Sequence, residues 1–79
     1  METNGAALRR MREMAGLSLG QAGDIVGCSA AKMCRAENGI TKLSRGDREL
    51  LQRELSAEIR RRASELNEYV RACDQAVAV

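Results

Sequence analysis

Along the first half of this chain, apolar positions recur three and four residues apart, in short blocks divided by glycines and polar caps. That is a helical rather than a strand period. Leu8, Met11 and Ala15 mark a helix over residues 6–15, with Asn4 of Thr3-Asn4-Gly5 as its N-cap and Gly16 where a C-terminal glycine ends it. Ser18 opens a second short helix. Gln21 stands three residues on, a capping-box pair, and the helix runs through Ala22 and Val26 to Gly27. Ser29 caps a third, Ala30 to Glu37, which Asn38-Gly39 closes. Two short helices joined only by Gly27-Cys28-Ser29 make a tight helix–turn–helix.

The second half reads differently. Ser44 and Asp47 form another capping pair, and from there to about Asp74 neither Pro nor Gly interrupts the chain. Leu51, Leu55, Ile59, Ala63, Leu66, Val70, Cys73 and Val77 fall at steps of three and four, one continuous face of a long amphipathic helix. A helix over residues 47–74 is about 42 Å long at 1.5 Å per residue, more than so small a globule can cover. Its far half therefore docks on something else, or the helix breaks near Ser56 into two.

Composition narrows the picture. The 79 residues fit one small domain, here residues 1–55, with residues 56–79 as a helical extension. Tyr69 is the one aromatic residue and Pro is absent, which takes away the residues sheets favour and leaves an all-α chain. His is absent too, removing the commonest general base and metal ligand, so the composition argues against an enzyme. Cys28, Cys34 and Cys73 are odd in number and lack CxxC spacing, so they read as reduced thiols of a cytoplasmic protein rather than a zinc site. No run is long and apolar enough for a membrane span, and no signal-peptide pattern opens the chain. The net charge is +2, unevenly placed: residues 1–48 carry eight basic and five acidic side chains, residues 49–79 five and six. A basic first half suits an anionic partner such as DNA.

The stretch from Leu8 to Leu55, LRRMREMAGLSLGQAGDIVGCSAAKMCRAENGITKLSRGDRELLQREL, resembles the lambda-repressor-like, Cro/C1-type (XRE) helix–turn–helix family. The resemblance rests on Arg12, Gly16-Leu17-Ser18, Gly23, Gly27, Ser29, Met33 and Glu37-Asn38-Gly39, all in register without a gap. It implies four to five helices, with a small Gly23 admitting the third helix and Leu17, Val26, Met33, Leu50 and Leu51 in the core. It also implies an ion pair between Arg12 and Glu37. The chain departs from the family at Leu19, where Gln is usual as a DNA-backbone anchor, at Ala22-Gly23 in place of Leu-Ala, and at Ala36 in place of a bulkier aliphatic residue.

The same resemblance lays the third helix in a major groove. Ala30, Ala31, Lys32 and Arg35 then face base edges, Arg35 being suited to bidentate contact with guanine O6 and N7. Ser29, Asn38, Thr41, Lys42, Arg45 and Arg48 become backbone contacts. Cys34 reads as a small filler, and Arg60-Arg61-Arg62 as solvated pairs with Glu58 and Glu65.

Together these features imply a sequence-specific DNA-binding transcriptional regulator, a repressor resembling the small phage regulators of the Cro kind. It binds double-stranded operator DNA as a homodimer with half-sites about one helical turn apart, because one short helix offers too few base contacts alone. Leu55, Ile59, Leu66 and Val70 are the expected dimer surface. No cofactor, metal or small-molecule substrate is expected. The rival reading keeps the fold but makes the chain an antitoxin-like or adaptor module whose long helix holds another protein.

Overall fold

A computed structural model describes residues 4–77. Four helices, α1 (Gly5–Ala15), α2 (Leu19–Val26), α3 (Ala30–Glu37) and α4 (Arg45–Val77), succeed one another with no strand among the described residues. The architecture is all-α and lambda-repressor-like.

Each helix starts where a side-chain oxygen takes an otherwise orphaned backbone N–H. Asn4 Oδ1 accepts from the Ala7 amide at 2.8 Å. Ser18 Oγ accepts from Gln21 N at 3.1 Å while Gln21 Oε1 accepts from Ser18 N at 2.8 Å, a complete capping box. Ser29 Oγ accepts from Lys32 N, and Ser44 Oγ from Asp47 N, each at 3.1 Å. The first two helices end on Gly16 and Gly27 at φ 71° and 72°, a left-handed conformation that costs glycine nothing.

The core is built from Leu8 and Ala15 of α1, Ala22 of α2, Met33 and Ala36 of α3, Leu43 of the α3–α4 loop, and Leu51 and Leu55 of α4. Its alanines let the short helices approach closely, and the fully buried Met33, Leu51 and Leu55 fill the space that remains. Leu17 and Val26 pack at its margin, partly buried. Leu50, expected inside, is only half-buried and outside this cluster, because one step of about 100° from Leu51 turns it off the inward face. At Gly23 an added Cβ would lie 2.4 Å from the Cys28 carbonyl oxygen. Gly23 is therefore small to admit the turn itself, rather than the helix beyond it.

The long helix is one element of 33 residues, unbroken at Ser56. Its first half closes the core against α1 and α2, and its second half projects, giving a molecule of 54 × 24 × 19 Å. Every residue from 60 to 77 is exposed.

Two of the residues expected on a dimer surface belong instead to the domain's own interior. Leu55 is wholly buried and Ile59 is packed against the core, because the body of the domain covers that end of the stripe. Leu66 and Val70, at 62% and 53% exposure, remain open.

Candidate nucleic-acid interface

The third helix buries Met33, Ala36 and Glu37. At about 100° per residue, Ala31 and Arg35 project almost directly opposite that face, with Lys32 on one flank and Ala30 and Cys34 on the other. Ala30, Ala31, Lys32 and Arg35 are all exposed, so the four expected reading residues share the outer surface of one short helix. Lys32, Arg35 and Lys42 make no ion pair among the described residues. An uncommitted cation needs no partner stripped away before it meets an anion.

This helix is held in place from behind. Arg12 Nε donates to Glu37 Oε2 at 2.7 Å and Arg12 Nη2 to Glu37 Oε1 at 3.0 Å, a bidentate pair between α1 and the last turn of α3. Arg12 Nη1 also donates to the Leu17 carbonyl at 3.0 Å, so one guanidinium ties α1, the α1–α2 turn and α3 together. The hydrogen bond to Glu37 holds the Arg12 guanidinium above its already high ordinary pKa, outweighing the opposing effect of partial burial. Close by, α1 begins against the end of α3. A Cβ on Gly5 would lie 2.5 Å from the Ala36 carbonyl oxygen, a contact that Gly5 as a mere turn residue does not suggest.

The six residues expected at the DNA backbone divide. Ser29 is exposed and its oxygen caps α3, leaving its hydroxyl proton to donate outward. Lys42 is exposed in the α3–α4 loop. Arg45 is also exposed, with its Nε on Glu49 at 3.0 Å. Asn38 folds back on its own helix, Nδ2 donating to the Cys34 carbonyl at 2.9 Å and approaching Cys34 Sγ at 3.4 Å. Thr41 departs furthest from expectation. Its hydroxyl is buried and finds no partner among the described residues, so it does not face solvent. It lines a cavity of about 280 Å³ with Asn4, Gly5, Leu8 and Leu43, and Arg48 borders the same cavity. Leu19, where the family has its Gln, packs against the core.

Of the Arg60-Arg61-Arg62 run, Arg61 pairs with Glu58 and Glu65 along α4. Arg62 does something else: Nη1 donates to the Met14 carbonyl at 3.0 Å, satisfying one of the free carbonyls at the end of α1. The guanidinium rests over Gly16, where an added Cβ would lie 2.1 Å from it. Cys28 and Cys34 are half-buried free thiols and Cys73 an exposed one. No helix of the described residues is long and apolar enough to cross a membrane.

A family model for the helix-turn-helix domain matches residues 5–78 of this chain. No curated protein and no solved structure matches it.

Proposed function

The chain belongs to the helix-turn-helix domain family, and from that premise we propose that it is a sequence-specific DNA-binding regulator acting as a repressor. The observation that carries the reading is the outer face of α3. Arg35 stands opposite the buried Met33, Ala36 and Glu37, with Ala31 beside it and Lys32 on the flank, all exposed. Arg35 Nη atoms suit guanine O6 and N7, a contact worth about 1–3 kcal/mol of discrimination. The alanines admit close approach and touch thymine methyls. Ser29, Lys42 and Arg45 are the candidates for phosphate, which fixes register without reading sequence.

So thin a readout needs doubling. The operator is an inverted repeat bound by a homodimer whose half-sites lie a whole number of helical turns apart. Leu66 and Val70, exposed on the far half of α4, are the candidate contacts between copies. Residues 1–55 then supply recognition and residues 56–79 assembly, with the action in the cytoplasm where the DNA is.

A second reading has one observation in its favour. The 18 exposed residues of α4 from 60 to 77 also suit an adaptor that holds a different protein. Selection of bound sequences from random duplex DNA at moderate salt separates the two. An enriched inverted repeat with guanine at matching half-site positions supports the regulator, and recovery of no motif overturns it in favour of the adaptor.

A further inference from the structure

The projecting half of α4 is a helix whose residues 60 to 77 are all left exposed by the other described residues. Leu66, Tyr69, Val70 and Val77 are 62%, 69%, 53% and 84% exposed. An isolated helix of this length is marginal in water, and an apolar stripe left open on it marks an interface. From its spacing and charge we propose that a second copy of this chain covers it, running antiparallel and centred on Glu68. The inference rests on the homodimer reading and adds the direction and register of the pairing.

The spacing is self-complementary. Ile59, Ala63, Leu66, Val70, Cys73 and Val77 are separated by steps of four, three, four, three and four, so the series reads the same from either end about residue 68. Antiparallel pairing there sets Leu66 against the partner's Val70 and Ala63 against the partner's Cys73, with Ile59, already packed against its own core, outside the pairing. The first sets a larger residue against a smaller one, and the second sets two small residues together, which lets the helices approach closely there.

Charge points the same way. Residues 58–62 carry Arg60, Arg61 and Arg62 against Glu58, a net +2, whereas residues 63–77 carry Glu65, Glu68 and Asp74 against Arg71, a net −2. Antiparallel copies lay the basic stretch over the acidic one, while parallel copies lay like on like. The flanking positions Arg60, Asn67 and Asp74 repeat at sevens, so Arg60 meets the partner's Asp74 twice in each dimer and Asn67 meets its own counterpart. On the other flank Tyr69 faces its counterpart across the two-fold axis.

Steric fit selects the same direction. Leu55 is buried beneath the body of the domain and Ile59 is packed against the core. At about 100° per residue, Leu66 lies within about 20° of Leu55 around the helix, and Val70 within about 20° of Ile59. The stripe and the body therefore share one side of α4. Parallel pairing through that side drives the two bodies into the same space, whereas antiparallel pairing puts them at opposite ends of the joined helices.

Cys73 supplies the test. In the proposed register the two Cys73 residues stand about 15 Å apart along the helices at 1.5 Å per residue, beyond the roughly 7 Å reach of a disulfide. Ala63 is the residue opposite. Light scattering of the wild-type chain should give a dimer, and mild oxidation with diamide should leave Cys73 unlinked. The Ala63→Cys variant under the same oxidation should form a covalent dimer, with tryptic peptide 63–71 joined to peptide 72–79. Arg60→Asp should raise the dimer Kd severalfold, and adding Asp74→Arg should restore it. A dimer linked Cys73 to Cys73 in the wild type overturns the antiparallel direction while keeping the homodimer. A dimer that forms neither link overturns the use of this face. A monomer at every concentration overturns the homodimer itself and leaves the face to a different protein.

Discussion

Arg62 and Met14 lie 48 residues apart in sequence and meet through one hydrogen bond, from Nη1 to the Met14 carbonyl at 3.0 Å. With Arg12 and Glu37 it is one of two arginine contacts that decide how the helices sit. Arg62 fastens α1 to the middle of α4, and Arg12 fastens α1 to α3.

The Arg12–Glu37 pair is partly desolvated, with 14% and 4% of the side chains exposed. Removing one partner leaves the other charge buried alone. Glu37→Ala should therefore cost on the order of 3 kcal/mol in urea unfolding, and Arg12→Lys should lose much of the stability because a single ammonium cannot reproduce the fork. Replacing both with apolar residues of similar volume should recover most of the loss. If the single variants unfold like the wild type, the brace has no structural weight.

Gly23 and Gly20 lie three residues apart on α2, yet they should respond oppositely to alanine. At Gly23 the new methyl meets the Cys28 carbonyl at 2.4 Å, and displacing that turn should cost about 1–3 kcal/mol. At Gly20 the nearest atom is Ser18 Oγ at 3.9 Å, so Gly20→Ala should be neutral or stabilising by about 0.5 kcal/mol. Thermal unfolding of the two variants side by side reads the difference.

Leu55 and Leu66 share a stripe but not a role. Leu55→Ala opens a cavity in the core and should cost about 2–5 kcal/mol of stability. Leu66→Ala should leave the fold in place and weaken self-association instead. Denaturation and sedimentation on both variants decide this, and an equal loss of stability in the two would be the contrary result.

At the DNA surface, Arg35→Ala should relax the preference at one base position in each half-site, by about 1–3 kcal/mol. Lys42→Ala should weaken binding to all sequences alike and reduce the slope of log affinity against log salt by about 1. Titrations at several salt concentrations on specific and random duplexes distinguish a base contact from a phosphate contact.

Acid should act on α4 through Glu58. Its carboxyl is held below the ordinary value of 4.5, chiefly by the hydrogen bond from Arg61. A carboxylate with a lowered folded-state pKa stabilises the helix at pH above that ordinary value, and the contribution fades as pH falls through the lowered one. Ellipticity at 222 nm, tracked from pH 7 downward, should show an acid limb that Glu58→Gln reduces. Coincident curves would mean that Glu58 plays no part.

Most of the helix boundaries are legible in the sequence because their causes are local. Asn4, Ser18, Gln21, Ser29 and Ser44 cap amides three residues away or fewer, and Gly16 and Gly27 turn the chain where they stand. Periodicity likewise marks the stripe on α4, but a period identifies a face without saying what lies over it. Leu55 and Ile59 suit a partner by period alone, yet their own domain covers them. Thr41 and Asn38 show another limit: the Thr41 hydroxyl is buried, and the exposed Asn38 spends its amide on the Cys34 carbonyl of its own helix. The bond from Arg62 to Met14 has no sequence signal, since nothing within a few residues of either predicts their meeting.

The continuity of α4 ties length to phase. Each residue added beyond Arg62 would lengthen the projecting arm by about 1.5 Å and also swing everything distal by about 100°. A single insertion would carry Leu66 and Val70 a quarter-turn or more around the axis from Ile59, whereas an insertion of seven would bring them back to within about 20°. Descendants of this sequence are thereby free to change the reach of the arm only in jumps of roughly two turns, and a frame of heptads should be visible in any set of relatives whose arms differ in length.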